Sequence, residues 1–118
     1  MTERPMLFQH WGIQAILEGR KTQTRRIYDF RPCFVDDLLW VKSKLFQRKA
    51  DTTLWLKVTD VRVERLQDIT EADVLAEGCI SKGDFVQRWD KIYAKRWIPW
   101  DRNPFVWVIT FKIERVLK

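Results

Sequence analysis

From Asn103 onward the stretch NPFVWVITFKIERVLK alternates, with Phe105, Trp107, Ile109, Phe111 and Ile113 at every second position. A period of two puts these side chains on one face of an extended strand, so the fold has to be built around a long closing β-strand. The segment TTLWLKVTDVRVERL starts in the same way: Leu54, Leu56 and Val58 alternate with Trp55, Lys57 and Thr59. Its phase then slips, and Val61 and Val63 carry the apolar face onward. Because a slip of one residue sends every following side chain to the other face, a bulge or sharp bend is predicted near Thr59 and Asp60. A bend of this kind lets a short sheet curl.

The remaining elements are short. RPMLFQ reads as an opening strand, and WGIQAILEG as a helix with Trp11, Ala15 and Ile16 on one face and Gly19 in a left-handed cap. TQTRRIYDF and DDLLWVKS are further strands, separated by a turn at Pro32. ITEADVLAEG opens with a capping box, Thr70 and Asp73, and ends at Gly78. SKGDFVQRWDKIYAKRW opens with a second, Ser81 and Asp84, sets Phe85, Trp89 and Ile92 on one face, and stops at Pro99. About five strands and three helices without a βαβ rhythm predict an α+β fold, a small mixed sheet or barrel with short helices in its connections. At 118 residues the chain fits one domain, 1–118.

Several function classes are disfavoured. Cys33 and Cys79 lack a CxxC spacing and His10 is the lone histidine, so no zinc site assembles by the usual spacings; no metal and no cofactor are predicted. The start, MTERPMLFQHW, lacks the basic-then-apolar pattern of a signal peptide, and no run reaches membrane-spanning length. The expectation is a soluble cytoplasmic protein with reduced cysteines and no membrane partner. The excess of 22 Lys+Arg over 16 Asp+Glu, a net charge of +6, suits a phosphate-bearing partner. Most of the seven tryptophans are expected in the core, with one or two free to line a base-stacking pocket.

The charge is densest in EGRKTQTRR, Glu18 to Arg26. As a binding surface, Arg20, Lys21, Arg25 and Arg26 would contact phosphates, with Thr22 and Thr24 adding hydroxyls. As a reaction site, the permanent charges of Arg20 and Arg25, together with burial, would disfavour protonation of Lys21 and leave it able to act as a base or nucleophile. A threonine hydroxyl needs such a base within reach. Residues three apart on a regular strand point to opposite faces, so Lys21 and Thr24 converge only if Lys21 lies in the loop after Gly19. Glu77 stands in the last helical turn, against the negative end of the dipole, at a cost of about 0.3–1 kcal/mol. The same placement raises a carboxyl's pKa and suits a proton donor, although Glu18 breaks the same rule.

The segments RPMLFQHWGIQAILEGRKTQTRR, LLWVKS, LWLKVTDVRVERLQDITEADVLAEG and WDRNPFVWVITFKIERV together resemble the ASCH-domain proteins of the PUA-like superfamily, in particular those of phages and prophages. The G-R-K-T-x-T-R-R block is the most specific of them. The resemblance implies a compact β-barrel with helices at its openings and a role in RNA or nucleoside recognition. A small ASCH member with a similar block is an amidohydrolase that deacetylates N4-acetylcytidine. By that resemblance Lys21 is the base, Thr24 the nucleophile and Glu77 the proton donor, while Arg20 or Arg26 holds an oxyanion or a phosphate. Phage relatives usually carry a glycine before the aspartate ahead of LWV and Arg-Glu after it; this chain has Asp36, Lys42 and Ser43 there.

The leading expectation is therefore hydrolysis of an N4-acylated cytidine. The alternatives are a non-catalytic RNA-binding module using the same basic groove, and an ASCH-type ribonuclease, for which His10 gives no local support. The expected partner is a modified nucleoside or RNA.

Overall fold

The computed structural model describes residues 2–117. Its strands are β1 (Glu3–Leu7), β2 (Gln23–Ile27), β3 (Leu38–Lys42), β4 (Leu54–Arg65) and β5 (Phe105–Val116). They form one sheet in the order β1-β3-β4-β5-β2, parallel between β1 and β3 and antiparallel elsewhere. Helix α1 (His10–Leu17) links the two edge strands, and α2 (Glu71–Ala76) and α3 (Lys82–Tyr93) lie between β4 and β5. The architecture is the expected α+β mixed sheet with short helices, but the sheet does not close into a barrel. β1 and β2 remain its edges, and α1 supplies Ile16 to the cluster that holds Met6 of β1 and Ile109 of β5. No helix is long and apolar enough to cross a membrane.

β4 and β5 pair along their whole length, and the register shifts between Val58 and Asp60, where the hydrophobic phase slips. A second shift, between Trp55 and Leu56, leaves no trace in the apolar pattern. β5 is buried on both faces rather than one. Trp107, Ile109 and Phe111 pack with Phe8, Leu39, Leu56 and Val58, whereas Val106 and Val108 pack under the helices with Leu66, Val74, Phe85 and Trp89. Phe105 and Ile113, the ends of the apolar series, are exposed.

Thr70 and Asp73 form the full capping box. Ser81 caps α3 by accepting from Asp84 N, but the Asp84 carboxylate accepts from Ile80 N instead, so the second box is incomplete. α3 also ends before Pro99. A 3-10 turn, Ala94–Arg96, follows it, and Trp97 takes a left-handed conformation at φ 64°. Trp97 is also the exposed tryptophan, at 81%.

Asp36 adopts φ 74°, the left-handed region that favours glycine. Its neighbour Asp37 is buried and clamps the amino-terminal strand, accepting from Thr2 N (3.2 Å), Arg4 Nε (2.7 Å) and Phe34 N (2.8 Å). Burial alone would raise the pKa of Asp37, but these donors outweigh it and hold the carboxyl below its ordinary value. A depressed carboxylate contributes stability above its unfolded pKa, about 3.9, and loses it as pH falls through the lower folded value. Asp37→Asn is therefore expected to cost about 1–2 kcal/mol near neutral pH, allowing for the partial exposure of Arg4. Urea unfolding should show the gap to the parent closing in acid.

Candidate functional site

Two helix endings of the same type make the site. At the end of α1, Gly19 (φ 80°) allows Gly19 N to donate to Ile16 O and Arg20 N to Ala15 O, a Schellman turn. At the end of α2, Gly78 (φ 90°) does the same through Gly78 N to Leu75 O and Cys79 N to Val74 O. The turns lie back to back. A Cβ on Gly78 would come to 3.1 Å from both Ala15 Cβ and Lys21 Cβ, a tight fit that adds to the conformational preference of φ 90° for glycine. Thr22 N donates to Ala76 O at 2.7 Å, and Lys21 bridges to Glu77 outside the named strands. Lys21 thus lies in the loop before β2, the condition under which it and Thr24 can share a face.

Lys21 is 5% exposed and Glu77 4%. Lys21 Nζ donates to Gln23 O (2.9 Å), Glu77 O (2.9 Å) and Glu77 Oε1 (3.2 Å), one acceptor for each N–H of an ammonium. Burial lowers the lysine's pKa from its ordinary value, and the Glu77 carboxylate opposes that shift. The second carboxylate oxygen of Glu77 accepts from Arg25 Nη1 at 3.0 Å. Glu77 caps α2, but two side-chain cations are its closest electrostatic partners.

On β2, Gln23 and Arg25 share one face and Thr24 and Arg26 the other. Arg25 has a fully buried side chain, held by Glu64 (2.6 Å), Asp73 (3.2 Å), Glu77 and Gln23 Oε1. Arg25 is therefore engaged inside the protein and offers no surface contact to a phosphate. Thr24 and Arg26 face a cavity of about 280 Å³ whose lining also includes Phe8, Trp11, Lys21, Glu77, Trp89 and Tyr93. This size is near the lower end for ligand pockets and matches one flat, base-sized group. Arg26 Nε donates to Thr24 Oγ1 (3.4 Å), and its guanidinium sits 4.8 Å from the centre of the Phe8 ring. Among the described residues, Thr24 Oγ1 makes no hydrogen bond to Lys21.

Arg20 and Thr22 lie outside the cavity lining. Arg20 is exposed, pairs with Glu18 at 2.7 Å and donates to Gly78 O at 3.0 Å, so it braces the two turns. Thr22 has an exposed side chain and contributes through its backbone, its carbonyl accepting from Phe111 N. The variant positions Lys42 and Ser43 do not line the cavity either.

Sequence reasoning missed much of the wall. Trp11 carries Lys21 Nζ at 5.4 Å and the Arg88 guanidinium at 4.0 Å over its ring, so cations cover a face otherwise suited to stacking. Trp89 and Tyr93 come from α3 and Arg96 from the 3-10 turn after it; of the three, only Trp89 stands in the predicted apolar stripe. Cys79 also lines the cavity, with its thiol pushed up to about 11, chiefly by burial, and hence protonated and unreactive.

The burial of Arg25 separates it from the exposed cations of the same block. Arg25→Met leaves three carboxylates without their shared partner and is expected to destabilise the fold by about 3–5 kcal/mol. Arg20→Met should change stability by less than about 1 kcal/mol. Parallel urea titrations of the two variants check the contrast.

No protein-family model matches the sequence, and no curated protein matches it. Solved structures do. The ASCH domain from Lactobacillus crispatus JV V101 aligns with a TM-score of 0.68 at 14% identity, over 95% of this chain and 79% of that one. A protein from Enterococcus faecalis V583 gives 0.72 at 11% identity, over 100% and 84%. ASCH from Zymomonas mobilis gives 0.62 at 9% identity, over 98% and 73%. At such identities the likeness speaks for the fold alone, and that fold is the one seen in solved ASCH domains.

Proposed function

We propose that the protein is an amidohydrolase that removes an acyl group from the exocyclic N4 of cytidine. One observation carries the reading. Lys21 Nζ and Glu77 Oε1 stand 3.2 Å apart, out of water, in the wall of a base-sized cavity that the Thr24 hydroxyl also lines. The resemblance of the G-R-K-T-x-T block to an N4-acetylcytidine amidohydrolase supports it.

At rest the lysine is an ammonium with all three N–H groups engaged. Since burial disfavours its charge, the shortest route to a base is a proton shift along Nζ–H···Oε1 to Glu77. The shift creates a neutral amine and a protonated carboxyl, the two partners the reaction needs. Lys21 then turns from the Gln23 carbonyl to the Thr24 hydroxyl and takes its proton as Oγ1 bonds to the acyl carbon. The Arg26 guanidinium, already beside Thr24, stabilises the negative oxygen of the tetrahedral intermediate. As the C–N4 bond breaks, Glu77 gives its proton to N4 and cytidine leaves neutral. Water then attacks the acyl-threonine, losing a proton to the Glu77 carboxylate, and the lysine ammonium returns a proton to the departing Thr24 oxygen.

A non-catalytic RNA-binding module would draw on the same cations. The internal engagement of Lys21 and Arg25 leaves it a smaller basic surface than the sequence implies.

Incubation with N4-acetylcytidine should yield cytidine and acetate by chromatography. Thr24→Val, close in shape but without the nucleophile, should slow the reaction by about a hundredfold or more, while Thr24→Ser keeps measurable turnover. Absence of cytidine at high concentrations of the parent protein would overturn the proposal.

A further inference from the structure

A second hollow lies beside the cavity and opens to the surface. Tyr28, Trp97, Arg102 and Phe105 line a shallow cleft of about 340 Å³, room for one flat ring system. The two hollows abut along two separate elements. On the β2 side, Arg26 lines the cavity while Ile27 and Tyr28 line the cleft. After α3, Arg96 lines the cavity while Trp97 and Ile98 line the cleft. Consecutive Cα atoms are about 3.8 Å apart, so cavity and cleft are neighbours across one wall.

The cleft presents to solvent rings that a core would bury. Tyr28, Trp97 and Phe105 are all exposed, Trp97 at 81%. Tyr28 stacks on Trp107 with ring centres 5.0 Å apart and planes at 29°, and it meets Phe105 edge-on at 6.4 Å. It is therefore a braced shelf with one side against the protein. Trp97 is held out by its left-handed backbone, which Trp97 N fixes by donating to Ala94 O and Ile98 N by donating to Tyr93 O. That conformation is unfavourable for so bulky a residue, and at this exposure little burial offsets it.

Cations stand among the rings. Arg102 lines the cleft, and Arg65 lies over Phe105 at 3.9 Å. Both are exposed, and among the described residues neither has a carboxylate partner. Asp29 and Asp101, beside Tyr28 and Arg102 in sequence, form no ion pair with them among the described residues. Exposed rings interleaved with unpaired guanidinium groups suit a nucleobase and its phosphates better than an apolar peptide. Every base has a π-face to stack, and its backbone supplies the negative charge.

We infer that Tyr28, Trp97 and Phe105 hold the base adjoining the cytidine in a single-stranded RNA, so that the ligand of this protein is a strand rather than a free nucleoside. This names the substrate class of the proposed function and rests on it for the base in the cavity. Arg65 and Arg102 meet the phosphates of the flanking backbone.

Calorimetric titration of the whole protein at low salt tests the inference with three probes. They are cytidine, a ribotrinucleotide with cytidine between two adenosines, and the same trinucleotide with both adenines replaced by abasic sites. The trinucleotide should bind about tenfold or more tightly than cytidine, and the abasic form, with the same phosphates, should lose most of that gain. Trp97→Gly suits the left-handed backbone and removes only an exposed ring. It should cut the affinity for the trinucleotide about tenfold and leave cytidine unchanged. Arg102→Gln should flatten the salt dependence of trinucleotide binding. A trinucleotide that binds no more tightly than cytidine, an abasic form that binds as well as the intact one, or a Trp97→Gly loss shared by cytidine overturns the cleft and leaves the hydrolytic proposal standing. Self-association that Trp97→Gly abolishes, with no gain for the trinucleotide, assigns the cleft to a second copy of the chain and overturns the inference too. If the trinucleotide gains through Trp97 but N4-acetylcytidine is hydrolysed neither free nor within the strand, the hydrolytic proposal falls and the strand-binding cleft stands.

Discussion

The arrangement depends on a buried lysine held between the carboxyl ends of two helices. Both α1 and α2 turn out through a left-handed glycine, and Lys21 follows the first turn closely enough to donate to the backbone and side chain of Glu77 at the second. A cation belongs at the negative ends of helix dipoles, and a carboxylate next to it offsets its desolvation. Arg25 completes the balance from β2 by tying Glu77 to Glu64 and Asp73. The loop, both helix ends and two strands are thus fixed by a single charge network, and one side of it opens onto the cavity.

That network gives the residues of the G-R-K-T-x-T-R-R block different tasks from those their charge suggests. Read as sequence, it is a basic surface. In the fold, Arg20 braces the helix ends, Thr22 serves through its backbone, Arg25 is held by buried carboxylates at the cavity wall, and Lys21, Thr24 and Arg26 line the cavity with it. The alternation of β2 makes that division, since it sends Arg25 to the carboxylates and Arg26 to Thr24 and Phe8. A charge count cannot make the distinction because it carries no facing.

Local signals were legible where one period or one cap decides the outcome. The phase slip located the bend at Val58 and Asp60, and Thr70 with Asp73 located the start of α2. Gly19 and Gly78 marked both turns of the site. What the chain hides is non-local. Burial of β5 on both faces follows from helices packing on the side opposite the first core, which an alternating pattern of Val and Trp does not distinguish from one buried face. Whether the sheet closes is likewise non-local: β1 and β2 stay at opposite ends of the strand order, and no local pattern reports that.

The central claim is that the Lys21–Glu77 pair faces the exocyclic edge of a bound pyrimidine. A crystal structure with cytidine tests it most directly. The account predicts the ring inside the cavity, with N4 within about 3 Å of the Glu77 carboxylate and near the Thr24 hydroxyl. A base bound elsewhere on the surface, or seated in the cavity with its N4 edge turned away from Glu77, would contradict it.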